Sequence, residues 1–63
     1  MNTSGGNEIL IEFVVLGNAI KATAIHSATG AEASIVGPAN AARAALAQGA
    51  VRKLKYVMEK KKD

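Results

Sequence analysis

Apolar residues recur at every second position from Ile9: Ile9, Ile11, Phe13 and Val15 form an unbroken row, with Leu10, Glu12, Val14 and Leu16 on the other side. This period of two predicts a β-strand. Gly17-Asn18 follows, a pair that suits a two-residue hairpin in which Gly takes the positive-φ position of a type II′ turn. With those two residues as the loop, Val15 faces Ile20, Phe13 faces Ala22 and Ile11 faces Ala24, so one apolar row meets another. On the reverse side Glu12 falls diagonal to Lys21. A slip of one residue would undo every match at once, so the register is well specified.

Ser27-Ala28-Thr29-Gly30 predicts a second turn, because Ser and Thr bond their own backbone and Gly supplies a left-handed residue. A third strand over Ala31 to Val36 sets Ala24 opposite Ala33 and Ala22 opposite Ile35. Gly37-Pro38 is expected to end the sheet, since Pro cannot donate to a ladder. From Ala39 onward the residues are helix formers, with Asn40 as the expected N-cap of a helix over about Ala41 to Lys60. At 1.5 Å per residue that helix is roughly 30 Å long. Its apolar stripe is Ala47, Ala50, Val51, Leu54, Val57 and Met58, with Leu46 at the edge, while Arg52, Tyr56 and Glu59 lie opposite. Gly49 reads as its weak point, costing about 1 kcal/mol relative to Ala. The expected fold is α+β: a three-stranded antiparallel meander in the order 1-2-3, then one C-terminal helix packed on one sheet face (βββα). Residues 1–7 read as a disordered leader, 8–60 as a single domain and 61–63 as a frayed basic tail.

Composition narrows the chemistry. At 63 residues there is room for one small domain. The absence of Cys excludes disulfides, zinc thiolates and thiol catalysis. No apolar run approaches the roughly 18 residues of a membrane span. No basic region precedes the first apolar stretch, so the expectation is a cytoplasmic protein without a secretory signal. Below about 70–80 residues a single core rarely supplies more than about 3–5 kcal/mol, and here the only aromatic residues are Phe13 and Tyr56. One helix covers one sheet face. The other face is expected to show Leu10, Val14, Leu16, Ile25 and Val36 among Glu12, Lys21, Thr23, Glu32 and Ser34. Such a patch, with two uncapped edge strands, predicts a homodimer or another protein partner through that face or an edge. Burial there would add the stability that the monomer lacks.

Charge is divided unevenly. Up to Gly37 three Glu and one Lys give −2; from Pro38 onward seven Lys and Arg with two acids give +5. Arg52, Lys53, Lys55, Lys60, Lys61 and Lys62 therefore form a candidate basic patch for nucleic acid or an acidic partner. The competing reading, which is favoured, is a solvated helix face whose cations complement the dipole. The element order resembles the sheet-reading DNA-binding domains of plant ethylene-response and integrase type. Those place basic and aromatic residues on the open face, where this chain has Glu12, Glu32 and aliphatics.

Candidate catalytic residues are few. His26 is the only histidine, and its neighbour Ser27 points to the opposite side of a strand, so no nucleophile–base pair forms. One His with scattered Glu has no metal-ligand spacing. The glycines match neither GxxxxGK[ST] nor GxGxxG. Glu12 and Glu32 would be separated by Thr23. The reading is a non-enzymatic interaction module with no cofactor, no metal and no membrane partner.

Several strings carry a family resemblance: Gly17-Asn18, Ile20-Lys21, Ala24-Ile25, Thr29-Gly30, Ser34-Ile35-Val36-Gly37-Pro38 and Arg52-Lys53-Leu54-Lys55-Tyr56-Val57. In these the chain is similar to a family of short alphaproteobacterial proteins of unknown function. The resemblance implies a bacterial, cytoplasmic setting and no activity. Members often have Asp at the position of His26, which implies that this histidine is not catalytic.

Overall fold

The structure, a computed structural model, describes residues 8–60. The expected leader (1–7) and tail (61–63, with Lys61 and Lys62) lie outside the described residues. Three strands, β1 (Ile9–Leu16), β2 (Ala19–His26) and β3 (Glu32–Pro38), form an antiparallel sheet in the order β1-β2-β3. A single helix, α1 (Arg43–Lys60), packs against one face. The βββα architecture is the one the periodicity predicts.

Both registers agree with the hydrophobic matching. Val15 pairs with Ile20, Phe13 with Ala22 and Ile11 with Ala24; Ala22 in turn pairs with Ile35, and Ala24 with Ala33. The turns take the expected glycine conformations. Gly17 has φ 61° and Asn18 a negative φ, as a type II′ hairpin requires. Gly30 has φ 79° and donates its N–H to the His26 carbonyl at 2.8 Å, closing the second loop.

The sheet does not stop at Val36. β3 continues through Gly37 and Pro38, which pair with Ile20 and Ala19. The reason lies in which way each residue's polar groups point. In β3, Ala31 and Ala39 bond toward β2: His26 N–H donates to the Ala31 carbonyl and Ala39 N–H to the Asn18 carbonyl, both at 2.8 Å. Alternation then turns Glu32, Ser34, Val36 and Pro38 outward. Proline at an outward edge position gives up no ladder bond.

The helix also begins later than expected. Pro38 to Ala41 forms a turn in which Ala41 N–H donates to the Pro38 carbonyl at 2.9 Å. Asn40 is used in that turn and is not the N-cap. Leu46 N–H donates to the Ala42 carbonyl at 3.1 Å, which places Ala42 at the cap. Ala42 has no side-chain acceptor, and no acidic residue stands in the first turn.

The core is small. Ile20, Ala22, Ala24, Ala33, Leu46, Ala50 and Leu54 are buried, and four of these seven are alanine. Leu46, placed at the stripe's edge by the helical wheel, is at its centre with Ala50 and Leu54. The alanines let the helix approach closely. A Cβ built on Gly49 would stand 2.7 Å from Ile35 Cδ1, and one on Gly37 2.7 Å from Leu46 Cδ2. Gly49 is thus a packing contact as well as a helix-weakening residue.

Candidate interaction surface

Where the helix sits decides which apolar residues are left uncovered. Gly49 abuts Ile35, and the Lys53 ammonium donates to the Ser34 carbonyl at 2.9 Å, so one flank of α1 faces β3. The helix seats on β2 and β3, over the alanine rows. A helix with side chains is roughly 10–12 Å wide, and strands are spaced about 4.8 Å apart, so it covers two strands well and a third poorly. The third is β1. Ile9 and Ile11 still pack at the margin of the core, but Phe13 is 36% exposed and Val15 60%. The expected burial of the whole inner row of β1 is therefore corrected: its second half lies open, with the Arg43 guanidinium 5.5 Å above the Phe13 ring.

The open sheet face is less uniform than its list of aliphatics suggests. Leu10 pairs with Ile25 at one end, and Leu16 with Ala19 and Pro38 at the other. Between them runs a polar row, Glu12, Thr23 and Ser34, in which the Thr23 and Ser34 hydroxyls hydrogen-bond at 2.8 Å. Lys21 separates Val14 from Val36. Leu10, Val14, Leu16, Ile25 and Val36 therefore do not form one continuous patch. Ile25 is half-buried, whereas Leu10, Val14, Leu16 and Val36 are exposed.

A second set of exposed apolar residues follows β1 itself. Leu10, Val14 and Leu16 are exposed on one side of this strand, and Phe13 and Val15 on the other. The backbone of β1 is also unpaired along its outer edge. Ser27 N–H donates to the Glu8 carbonyl at 3.0 Å, so Glu8 and, by alternation, Leu10, Glu12, Val14 and Leu16 bond toward β2. Ile9, Ile11, Phe13 and Val15 turn their N–H and C=O outward, where no group among the described residues meets them. The outer edge of β3 differs. Its Ser34 carbonyl accepts from Lys53, its Pro38 carbonyl from Ala41, and Pro38 has no N–H to offer. Lysine and proline are the means by which sheet edges are kept from pairing. The β3 edge is engaged at Ser34 and Pro38, whereas nothing among the described residues meets the β1 edge.

The basic residues do not converge as a single cluster. Lys53 is turned onto β3, and the Lys60 ammonium lies 5.5 Å from the Tyr56 ring centre. Arg52 and Lys55 share an open hollow of about 510 Å³ on the helix with Ala47, Gln48 and Val51. His26 Nδ1 is 3.0 Å from Thr29 Oγ1, and Ala31 N–H donates to the same hydroxyl oxygen at 3.2 Å, which makes this histidine part of the turn. Among the described residues, no group of three or more His, Cys, Asp or Glu side chains is placed to hold a metal ion. Among them too, no helix is long and apolar enough to cross a membrane.

Phe13 and Val15 are the surface residues that sequence reasoning missed. The signal was present in side-chain size. The inward positions of β2 and β3 include Ala22, Ala24 and Ala33 beside Ile20 and Ile35, a shallower bed for a helix than those of β1, which hold only Ile, Phe and Val.

A family model for a domain of unknown function (DUF6898) matches residues 6–61. No curated protein and no solved structure matches the chain.

Proposed function

From the premise that this chain belongs to the DUF6898 family, we propose that it is a non-enzymatic interaction module that associates with a second copy through the exposed surface of β1. A single observation carries the reading. β1 carries exposed apolar residues on both sides and an outer edge that no group among the described residues meets, while the opposite edge of the same sheet is engaged at Ser34 by Lys53 and interrupted by Pro38. A small core made largely of alanine adds a thermodynamic motive, since association of folded copies stabilises the fold by mass action. The setting we assign is the bacterial cytoplasm.

Light scattering across a concentration series tests this. The wild-type protein is expected to run as a dimer, and Val15→Lys as a monomer with its fold intact, because Val15 is mostly solvent-exposed and contributes little to the core. A wild-type protein that stays monomeric throughout the series would refute the reading. So would a Val15→Lys variant that dimerises as well as wild type.

A further inference from the structure

Building on that self-association, we infer that two copies join edge to edge through antiparallel β1 strands with Phe13 on the two-fold axis, making one continuous six-stranded sheet. The outward backbone groups of Ile9, Ile11, Phe13 and Val15 need an extended partner, and β1 is itself suited to be that partner. Read outward from Phe13, the strand is matched in side-chain class at two of three steps: β-branched Ile11 with Val15 and Leu10 with Leu16, the exception being Glu12 with Val14. A two-fold normal to the sheet through Phe13 pairs Phe13 with its copy, Ile11 with the copy of Val15, and Leu10 with the copy of Leu16. The first two are positions whose N–H and C=O point outward, so they become hydrogen-bonded pairs.

Charge selects this register over its neighbours. Opposed residues must share a sheet face, so the axis moves only in whole-residue steps along the strand. Centring it on Glu12 would set the strand's single charge against its own copy, a destabilising like-charge pair. Centring it on Val14 would oppose Phe13 to Val15 and confine the strand overlap to positions 12–16, against 10–16 with Phe13 on the axis. With Phe13 on the axis, Glu12 lies beside Val14 of the other copy.

The same arrangement explains what the helix leaves bare. Both helices lie on the same face of the joined sheet, each displaced toward its own β3. The uncovered inner residues Phe13 and Val15 then meet their copies and the half-buried Ile11 across the axis, with an Arg43 above each Phe13 ring. The exposed half of β1 becomes the centre of the sheet.

Single cysteines read the register directly, because the chain contains none of its own. Full-length Phe13→Cys, Glu12→Cys and Val14→Cys are oxidised under dilute oxidant and followed on non-reducing gels. On the axis, a thiol introduced at position 13 faces its copy at about 5.5 Å between Cα atoms, within disulfide reach. At position 12 or 14 the two Cα atoms stand about 8 Å apart, beyond that reach. The Phe13→Cys variant is expected to link at least about tenfold faster than Glu12→Cys or Val14→Cys. An equimolar mixture of Ile11→Cys and Val15→Cys, which retains Phe13, is expected to give the mixed disulfide, and this keeps the test decisive if loss of the ring weakens pairing. A protein that is dimeric by light scattering but links through position 12 or 14, or through no residue of β1, would overturn this register while leaving self-association standing. A protein that is monomeric by light scattering would remove both.

Discussion

The hydrogen atom that serves as the side chain of Gly49 lets Ile35 reach the helix backbone, since a Cβ there would stand 2.7 Å from Ile35 Cδ1. Two effects therefore oppose each other at this position. Replacement by alanine raises helix propensity by about 0.8–1.0 kcal/mol, but it requires the Ile35 methyl to move. In the wild-type background Gly49→Ala is expected to recover only part of that gain. In an Ile35→Val background, which lacks Cδ1, the same substitution should recover nearly all of it. A double-mutant cycle by urea denaturation measures the coupling, expected at about 0.5 kcal/mol or more for residues in contact. Equal effects in the two backgrounds would show that the contact carries no energy. Position 49 also shows where residue-level reading stops. Propensity was legible in the chain, but the contact depends on how closely the helix lies against β3. His26 is the opposite case: it ends β2 beside the Ser/Thr turn that the chain itself predicts, and its ring is 3.0 Å from Thr29 Oγ1.

Elements were more legible than their ends. The period-two row of β1, the Gly17-Asn18 hairpin and the pairing of Ala22 with both Phe13 and Ile35 all follow from local rules that agree with one another. The ends were harder because they depend on backbone direction. Pro38 can remain in β3 only because its nitrogen faces away from β2, and that depends on where the alternation of ladder bonds began. The helix start moved for a related reason: the turn at Pro38–Ala41 occupies Asn40 and hands the cap to Ala42. This cap is improvable. Ala42→Asp supplies both a side-chain acceptor and a negative charge at the positive end of the helix dipole, and it should stabilise the fold by about 1 kcal/mol. Chemical denaturation at neutral pH checks this through a higher midpoint with an unchanged slope. A midpoint at or below that of wild type would mean that Ala42 is not the capping residue.

At the scale of the whole molecule, the described residues form two thin layers, with extents of 35 × 32 × 16 Å. One helix cannot cover three strands, so a surplus of apolar surface was legible from length and hydrophobic content alone. Its location was not. The sequence-based expectation put that surplus on the sheet face opposite the helix. There the Thr23–Ser34 hydrogen bond and Lys21 divide the aliphatics, and exposed apolar residues instead stand on both sides of β1. The −2 half of the chain holds the sheet and the +5 half holds the helix and the residues after it, and Lys53 of the helix is engaged with the Ser34 carbonyl at the edge of β3. One edge engaged at Ser34 and Pro38, and one that nothing among the described residues meets, suit an assembly of two copies. Amide hydrogen exchange, followed residue by residue by NMR over a concentration series, tests this most directly. In a monomer the N–H groups of Ile11, Phe13 and Val15 face water and exchange rapidly, while those of Glu12 and Val14 are held by β2. Raising the concentration is expected to slow exchange at Ile11, Phe13 and Val15 to the rates of their neighbours. Persistent fast exchange at those three amides in a sample shown to be dimeric, or in one that never dimerises, would contradict it.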